Sequence, residues 1–162
     1  MKKFLFMIIT LTVLFSIACA QTKNKENKNE SELNWLTNLE EAQTISQEKG
    51  IPIFVDFTGS DWCGWCVKLR DEIFSKEEFI LYAKEHLVLV ELDFPRKTKQ
   101  SNETKAYNEN LARKYGIRGF PTILLLNSDG EEIAKTGFQH GGAENYVSHL
   151  KELLSVQSKR EL

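Results

Sequence analysis

The sequence predicts an α/β domain with a central mixed β-sheet flanked by helices on both faces. Three observations predict it. Residues 53–57, 87–93 and 122–126 are short, almost wholly apolar runs, the pattern of strands covered on both sides. Segments with apolar residues at helical intervals separate these runs. The third run leads into Asn127-Ser128-Asp129-Gly130, a turn by composition, and then a fourth strand, so an antiparallel hairpin closes the sheet.

The bulk properties agree with one such domain. The chain has 162 residues, 41% hydrophobic and 10% aromatic, enough to build a core and too apolar for a disordered chain. Its net charge of −2 lacks the basic excess of nucleic-acid binders. Three cysteines are too few for a disulfide-stapled miniprotein, so each is read singly.

Residues 1–20 read as a secretory signal: Met1-Lys2-Lys3 is a basic start, and Phe4 to Ala18 is apolar but shorter than the ~20 residues a membrane span needs. Two endings compete. Ala18-Cys19-Ala20 fits cleavage before Gln21, whereas Ser16-Ile17-Ala18-Cys19 resembles a bacterial lipobox in which Cys19 is lipidated. Removing residues 1–20 leaves 19 basic against 23 acidic residues, a net charge of −4. The expected localisation is periplasmic or secreted, with membrane anchorage only through a lipid on Cys19. Residues 21–33 (QTKNKENKNESEL) are a polar tether with little to bury. The domain is expected over 34–156, with a tail at 157–162.

Within the domain, Thr37 and Glu40 have capping-box spacing, Leu39, Ala42 and Ile45 follow at helical intervals, and Gly50 stops the helix. The strand Ile53–Phe57 follows, interrupted by one polar residue, Asp56. Ser75 and Glu78 form a second capping box, opening a helix to about Glu85. After the strand Leu87–Asp93, a polar loop runs from Pro95 to about Thr104, then a helix to Lys114, with Gly116 just past it. Strands 122–126 and 131–136 flank the turn. Gly141-Gly142 precedes a closing helix whose apolar face is Tyr146, Val147, Leu150, Leu153 and Leu154.

The chemistry centres on Cys63-Gly64-Trp65-Cys66, where a strand-end loop meets a helix. If Cys63 caps that helix, Cys66 lies one turn on and the two sulfurs can close a disulfide with little motion. Cys63 then faces the unpaired N–H groups and the positive dipole end, which favour thiolate. Such settings lower a cysteine pKa from ~8.5 into the range ~3.5–7.5. Cys63 is therefore expected as the attacking sulfur at a solvent-facing edge, and Cys66, deeper along the helix, as the resolving one. A zinc site lacks a second cysteine pair, and His86, His140 and His149 lack ligand spacing. Haem attachment needs a His where Val67 stands. An inert structural disulfide is the remaining alternative. No cofactor beyond the Cys63–Cys66 pair, no metal and no nucleotide are expected.

The chain resembles the thioredoxin superfamily over roughly Trp35 to Leu154, and most closely the secreted thioredoxin-like domains of bacterial disulfide-interchange proteins. The segment FVDFTGSDWCGWCVK resembles the family's strand, active-site loop and helix start. KYGIRGFPT, Lys114 to Thr122, resembles its later segment with a cis-proline, and ILLLNSDGEEIAKTG its hairpin. The resemblance implies that Pro121 is a cis-proline facing the cysteines and that the backbone at Phe120 pairs with an extended substrate. It implies that Asp56 is the buried acid behind Cys66 and helps move its proton. One extra loop residue before Trp62, and a next strand that near Leu89 lacks the family's lysine, depart from that pattern. Trp62 matches the tryptophan before the first cysteine. Trp65 stands where thioredoxins have proline, and is expected either to offer partners an apolar platform or to fill space.

The loop Phe94 to Lys105 carries Arg96, Lys97, Lys99 and Lys105 and reads as a solvated connection, with steering of an acidic partner as the alternative. The function expected is a thiol–disulfide oxidoreductase of the cell envelope, acting on protein disulfides in the reducing direction, with an envelope electron-donor or acceptor thiol–disulfide protein as partner. A disulfide oxidase or isomerase, or a non-catalytic binding or chaperone module, is the alternative.

Overall fold

A computed structural model describes residues 33–158. The expected signal at 1–20 with Cys19, almost all of the tether and residues 159–162 lie outside the described residues. Five strands form one sheet in the order β1-β3-β2-β4-β5. β2 (Ile53–Thr58) is central and β3 (Val88–Asp93) lies parallel beside it. A two-residue β1 (Trp35–Leu36) adds in parallel to the outer edge of β3. β4 (Thr122–Leu126) runs antiparallel to β2, and β5 (Glu132–Thr136) antiparallel to β4. The sheet is mixed, as expected. β1 is too short for any periodicity to announce it.

The strands alternate between two cores, as a two-residue side-chain period demands. Phe54, Leu89, Ile123 and Leu125 face one side, where α2 (Gly64–Leu69), α3 (Glu77–His86) and α5 (Gly142–Ser158) contribute Leu69, Phe79, Ala83, Tyr146 and Leu150. Ile53, Val55, Phe57, Val90, Leu92 and Leu124 face the other, against Leu39 and Ala42 of α1 (Leu39–Lys49) and Leu111 of α4 (Asn102–Lys114). All six residues of β2 are buried, which explains their lack of polar alternation. α5 extends to Ser158, past the domain end expected at 156.

Two helix starts differ from expectation. Asn38 caps α1, its side-chain oxygen accepting from the Glu41 N–H at 2.7 Å, so the cap sits one residue beyond Thr37. Ser75 caps nothing: its backbone is helical, and its hydroxyl donates to the Asp71 carbonyl. It closes a π-helical turn, Arg70–Phe74, that prolongs α2, and the extended residue before α3 is Lys76. A serine already wound into the preceding turn has no extended backbone from which to cap the next helix. At α4 the cap is Ser101, which accepts from the Thr104 N–H.

The register places the site. β2 and β3 end at the same edge, and Phe57 near the end of β2 pairs with Thr122, the first residue of antiparallel β4. Ile123 in turn pairs with Thr136, the last residue of β5. The loops after β2, after β3, before β4 and after β5 therefore gather at one end of the sheet.

Candidate active site

β2 delivers the chain to the loop Gly59–Trp62, and Cys63 is the N-cap of α2. Cys63 and Cys66 form a disulfide with their Cα atoms 5.2 Å apart. The Cys66 backbone N–H donates to Cys63 Sγ at 3.2 Å, and the N–H groups of Cys66 and Val67 lie on the Cys63 carbonyl. The first cysteine thus occupies the capping position that its spacing implied.

Exposure, by contrast, does not separate the two. Cys63 is 6% and Cys66 4% exposed, so in the oxidised state the first sulfur is not at an open edge. What distinguishes Cys63 is its hydrogen bond and its place at the positive end of the helix, both of which favour charge on that sulfur when the pair is reduced.

The Phe120–Pro121 peptide bond is cis. The loop that follows β5 comes against it, since a Cβ on Gly137 would lie 3.2 Å from the Pro121 carbonyl oxygen. Phe120 packs edge-to-face on Trp62 at 5.7 Å and against Phe94 at 5.0 Å. Trp62 lies flat against Gly59, where any Cβ would sit 2.5 Å from the indole, and its Nε1–H donates to the Phe94 carbonyl at 2.7 Å. Trp62, Phe120 and Pro121 are thus brought together at the end of the sheet that holds the disulfide. Trp65 goes elsewhere. It is 53% exposed and packs on Phe138 at 5.2 Å, with the His140 ring edge-on at 6.3 Å and Lys68 Nζ 5.3 Å above its ring.

Asp56 is buried on β2, facing the same core as Phe54, and its Oδ1 has no hydrogen-bond partner. Burial holds its proton well above the ordinary carboxylate range, and the neighbouring Glu91 and Asp93 push the same way. Glu91 pairs with Asp56 across the β2–β3 register and is itself raised by burial and by Asp93, with Arg70 acting in opposition. Tyr146 of α5 lies near enough for Asp56 to add to the effect of burial on its hydroxyl. Burial, Glu91 and Asp93 all oppose ionisation of Asp56.

The sequence did not mark the loop after β3 as part of this site, yet it is latched to it. Asp61 accepts the backbone N–H groups of Arg96, Lys97 and Thr98 at 2.8–2.9 Å, which lowers its pKa to about 2, the Arg96 bond first. Ser60 bonds Asp93 through both its N–H and its hydroxyl. The Arg96 guanidinium lies 3.6 Å from the Trp62 ring centroid. The acid beside Trp62 and the polar loop past β3 were both visible in the sequence, but only the β2–β3 register shows that they meet.

Residues 39–153 match the Thioredoxin-like domain family. Disulfide bond reductase DsbH of Chlamydia pneumoniae is 40% identical over 117 residues, which are 72% of this chain and 70% of that protein. The solved structure of DsbH oxidoreductase superposes with a TM-score of 0.73 at 36% identity, covering 85% of this chain and 96% of that one. Thiol:disulfide interchange protein DsbD of Klebsiella pneumoniae is 31% identical over 113 residues, but these make up 68% of this chain and only 17% of DsbD. With a Cys-x-x-Cys disulfide capping α2 and matches across most of its length, the chain belongs to the thioredoxin-like domain family, among its thiol–disulfide oxidoreductases.

Proposed function

We propose that this oxidoreductase works outside the cytoplasm and in the reducing direction, on disulfides of other proteins. The observation that carries the exchange chemistry is the Cys66 N–H donated to Cys63 Sγ at the head of α2. In the reduced pair it singles out Cys63 as the thiolate, hence the attacker. Cys63 attacks one sulfur of the substrate disulfide, the substrate S–S bond breaks, and the departing sulfur takes up a proton. Asp56, in its carboxylate form, accepts the Cys66 proton and passes it on to the leaving substrate sulfur, and Cys66 attacks Cys63 Sγ. The mixed disulfide breaks, the Cys63–Cys66 bond forms, and the second substrate sulfur leaves and is protonated. The substrate gains two electrons and two protons, so an envelope thiol–disulfide protein must restore the pair. Trp62, Phe120 and Pro121 form the surface that receives the substrate, and Trp65 offers its exposed face to the partner.

The reducing direction draws on the likeness to DsbH, named a disulfide bond reductase. The extracytoplasmic location draws on residues 1–20, with lipidation at Cys19 as the variant that would tie the protein to a membrane. The test is a reduction potential measured together with insulin-disulfide reduction. A value near −270 mV with turnover is expected, and one near −120 mV would make the protein an oxidant. Cys63→Ser is expected to abolish turnover, and Cys66→Ser to accumulate mixed disulfides with partners. Full function in both variants would leave a binding module instead.

A further inference from the structure

The loop between β3 and α4 brings a cation onto Trp62, the residue before Cys63, and three independent devices hold the loop in place. Asp61 binds three successive backbone N–H groups, Arg96 to Thr98, and both its oxygens are used in doing so. Trp62 Nε1–H holds the Phe94 carbonyl, and Ser60 holds Asp93. Arg96 then stacks on Trp62, the residue just before Cys63, at 3.6 Å. Among the described residues Arg96 makes no ion pair, and neither do Lys97, Lys99 and Arg118, all exposed near the same end of the sheet. The chain is net acidic, so unpaired cations collected at the redox edge are a local feature rather than a reflection of composition. A guanidinium stacked on a ring keeps its in-plane N–H donors directed outward, in the fork that fits a carboxylate.

We propose that Arg96, stacked on Trp62 and positioned by the Asp61 latch, is a specificity-determining residue that binds a carboxylate of the substrate chain beside its reacting disulfide. The substrate class is a disulfide flanked by Asp or Glu. This rests on the oxidoreductase assignment and on reduction as its direction.

The test uses two matched peptide disulfides, one flanked by Glu and one by Lys, and takes the ratio of their kcat/KM values within each protein. The wild type is expected to favour the Glu peptide about tenfold at low salt, as one charge-assisted hydrogen bond allows, and the preference should shrink at high ionic strength. Arg96→Lys should keep part of the preference, Arg96→Ala should reduce it to within about twofold, and Arg96→Glu should invert it. Asp61→Ala gives the sign that decides between place and field. If only long-range charge mattered, removing an acid would strengthen the preference for Glu; if the latch positions Arg96, the preference falls. Equal ratios in wild type and Arg96→Glu overturn the proposal, as does a stronger Glu preference in Asp61→Ala. Titration with a serine-for-cysteine Glu peptide, followed at the Trp62 indole N–H by NMR, reads binding without turnover. A shift there with no turnover of either peptide overturns the reductase assignment and supports the subsite; turnover without such a shift overturns the subsite alone.

Discussion

At the residue scale the distinguishing group is Asp56. A carboxyl with an unpartnered oxygen, buried beside two other acids, holds its proton more tightly in the folded protein than in the unfolded chain. The folded state therefore binds more protons between the ordinary aspartate pKa of about 3.9 and the raised folded value. Over that window the Asp56 contribution to stability falls as pH rises. Asp56→Asn removes the titration, so the stability of wild type relative to the variant is expected to decline above about pH 4 and to level off beyond the folded pKa. Denaturant titrations across pH would show it, and parallel curves would contradict it. In catalysis the same variant should slow release of the second substrate sulfur, seen as a longer-lived mixed disulfide. The family pattern made Asp56 legible in the sequence, but its acidic company was not: Glu91 and Asp93 reach it only through the β2–β3 register.

At the element scale, the helix starts separate sequence signals from the geometry that decides them. Asn38→Ala and Ser101→Ala each remove a side-chain acceptor from a first-turn N–H and should cost about 1 kcal/mol. Ser75→Ala removes only a hydroxyl donated within the π turn, and its cost should stay below about 0.5 kcal/mol. Unfolding midpoints in urea would rank the three. The capping-box spacing at Ser75 could not reveal that α2 continues through five π-helical residues and has already taken that serine into its last turn. The latch after β3 belongs to this scale too. The Asp61 carboxylate accepts its three N–H bonds more strongly while ionised, and its folded pKa lies at about 2, below the ordinary value. The stabilisation is complete above about pH 4 and lost as pH falls through the folded value. The Arg96, Lys97 and Thr98 amide resonances are expected to titrate together near pH 2, and independent midpoints near 4 would rule out the latch.

For the whole molecule, stability rests on two cores divided by β2, and the functional end depends on how the strands between them align. Phe54 is fully buried, with its ring 5.6–6.1 Å from those of Trp35, Phe74 and Phe79. Phe54→Ala is expected to cost about 3–5 kcal/mol, and a Tm within a few degrees of wild type would show that this cluster carries less than its burial implies. The four longer strands, the alternating helices, the hairpin and the paired cysteines were determined by the sequence alone. Apolar period, turn residues and a four-residue spacing are local, and local patterns survive without knowledge of what lies across the sheet. Tertiary structure decided the rest: both sulfurs lie covered, Asp56 faces two further acids, Trp65 turns toward Phe138 and His140, and Arg96 rests on Trp62. Each of these joins residues distant in the chain, and only strand register and loop packing fix which distant residues meet.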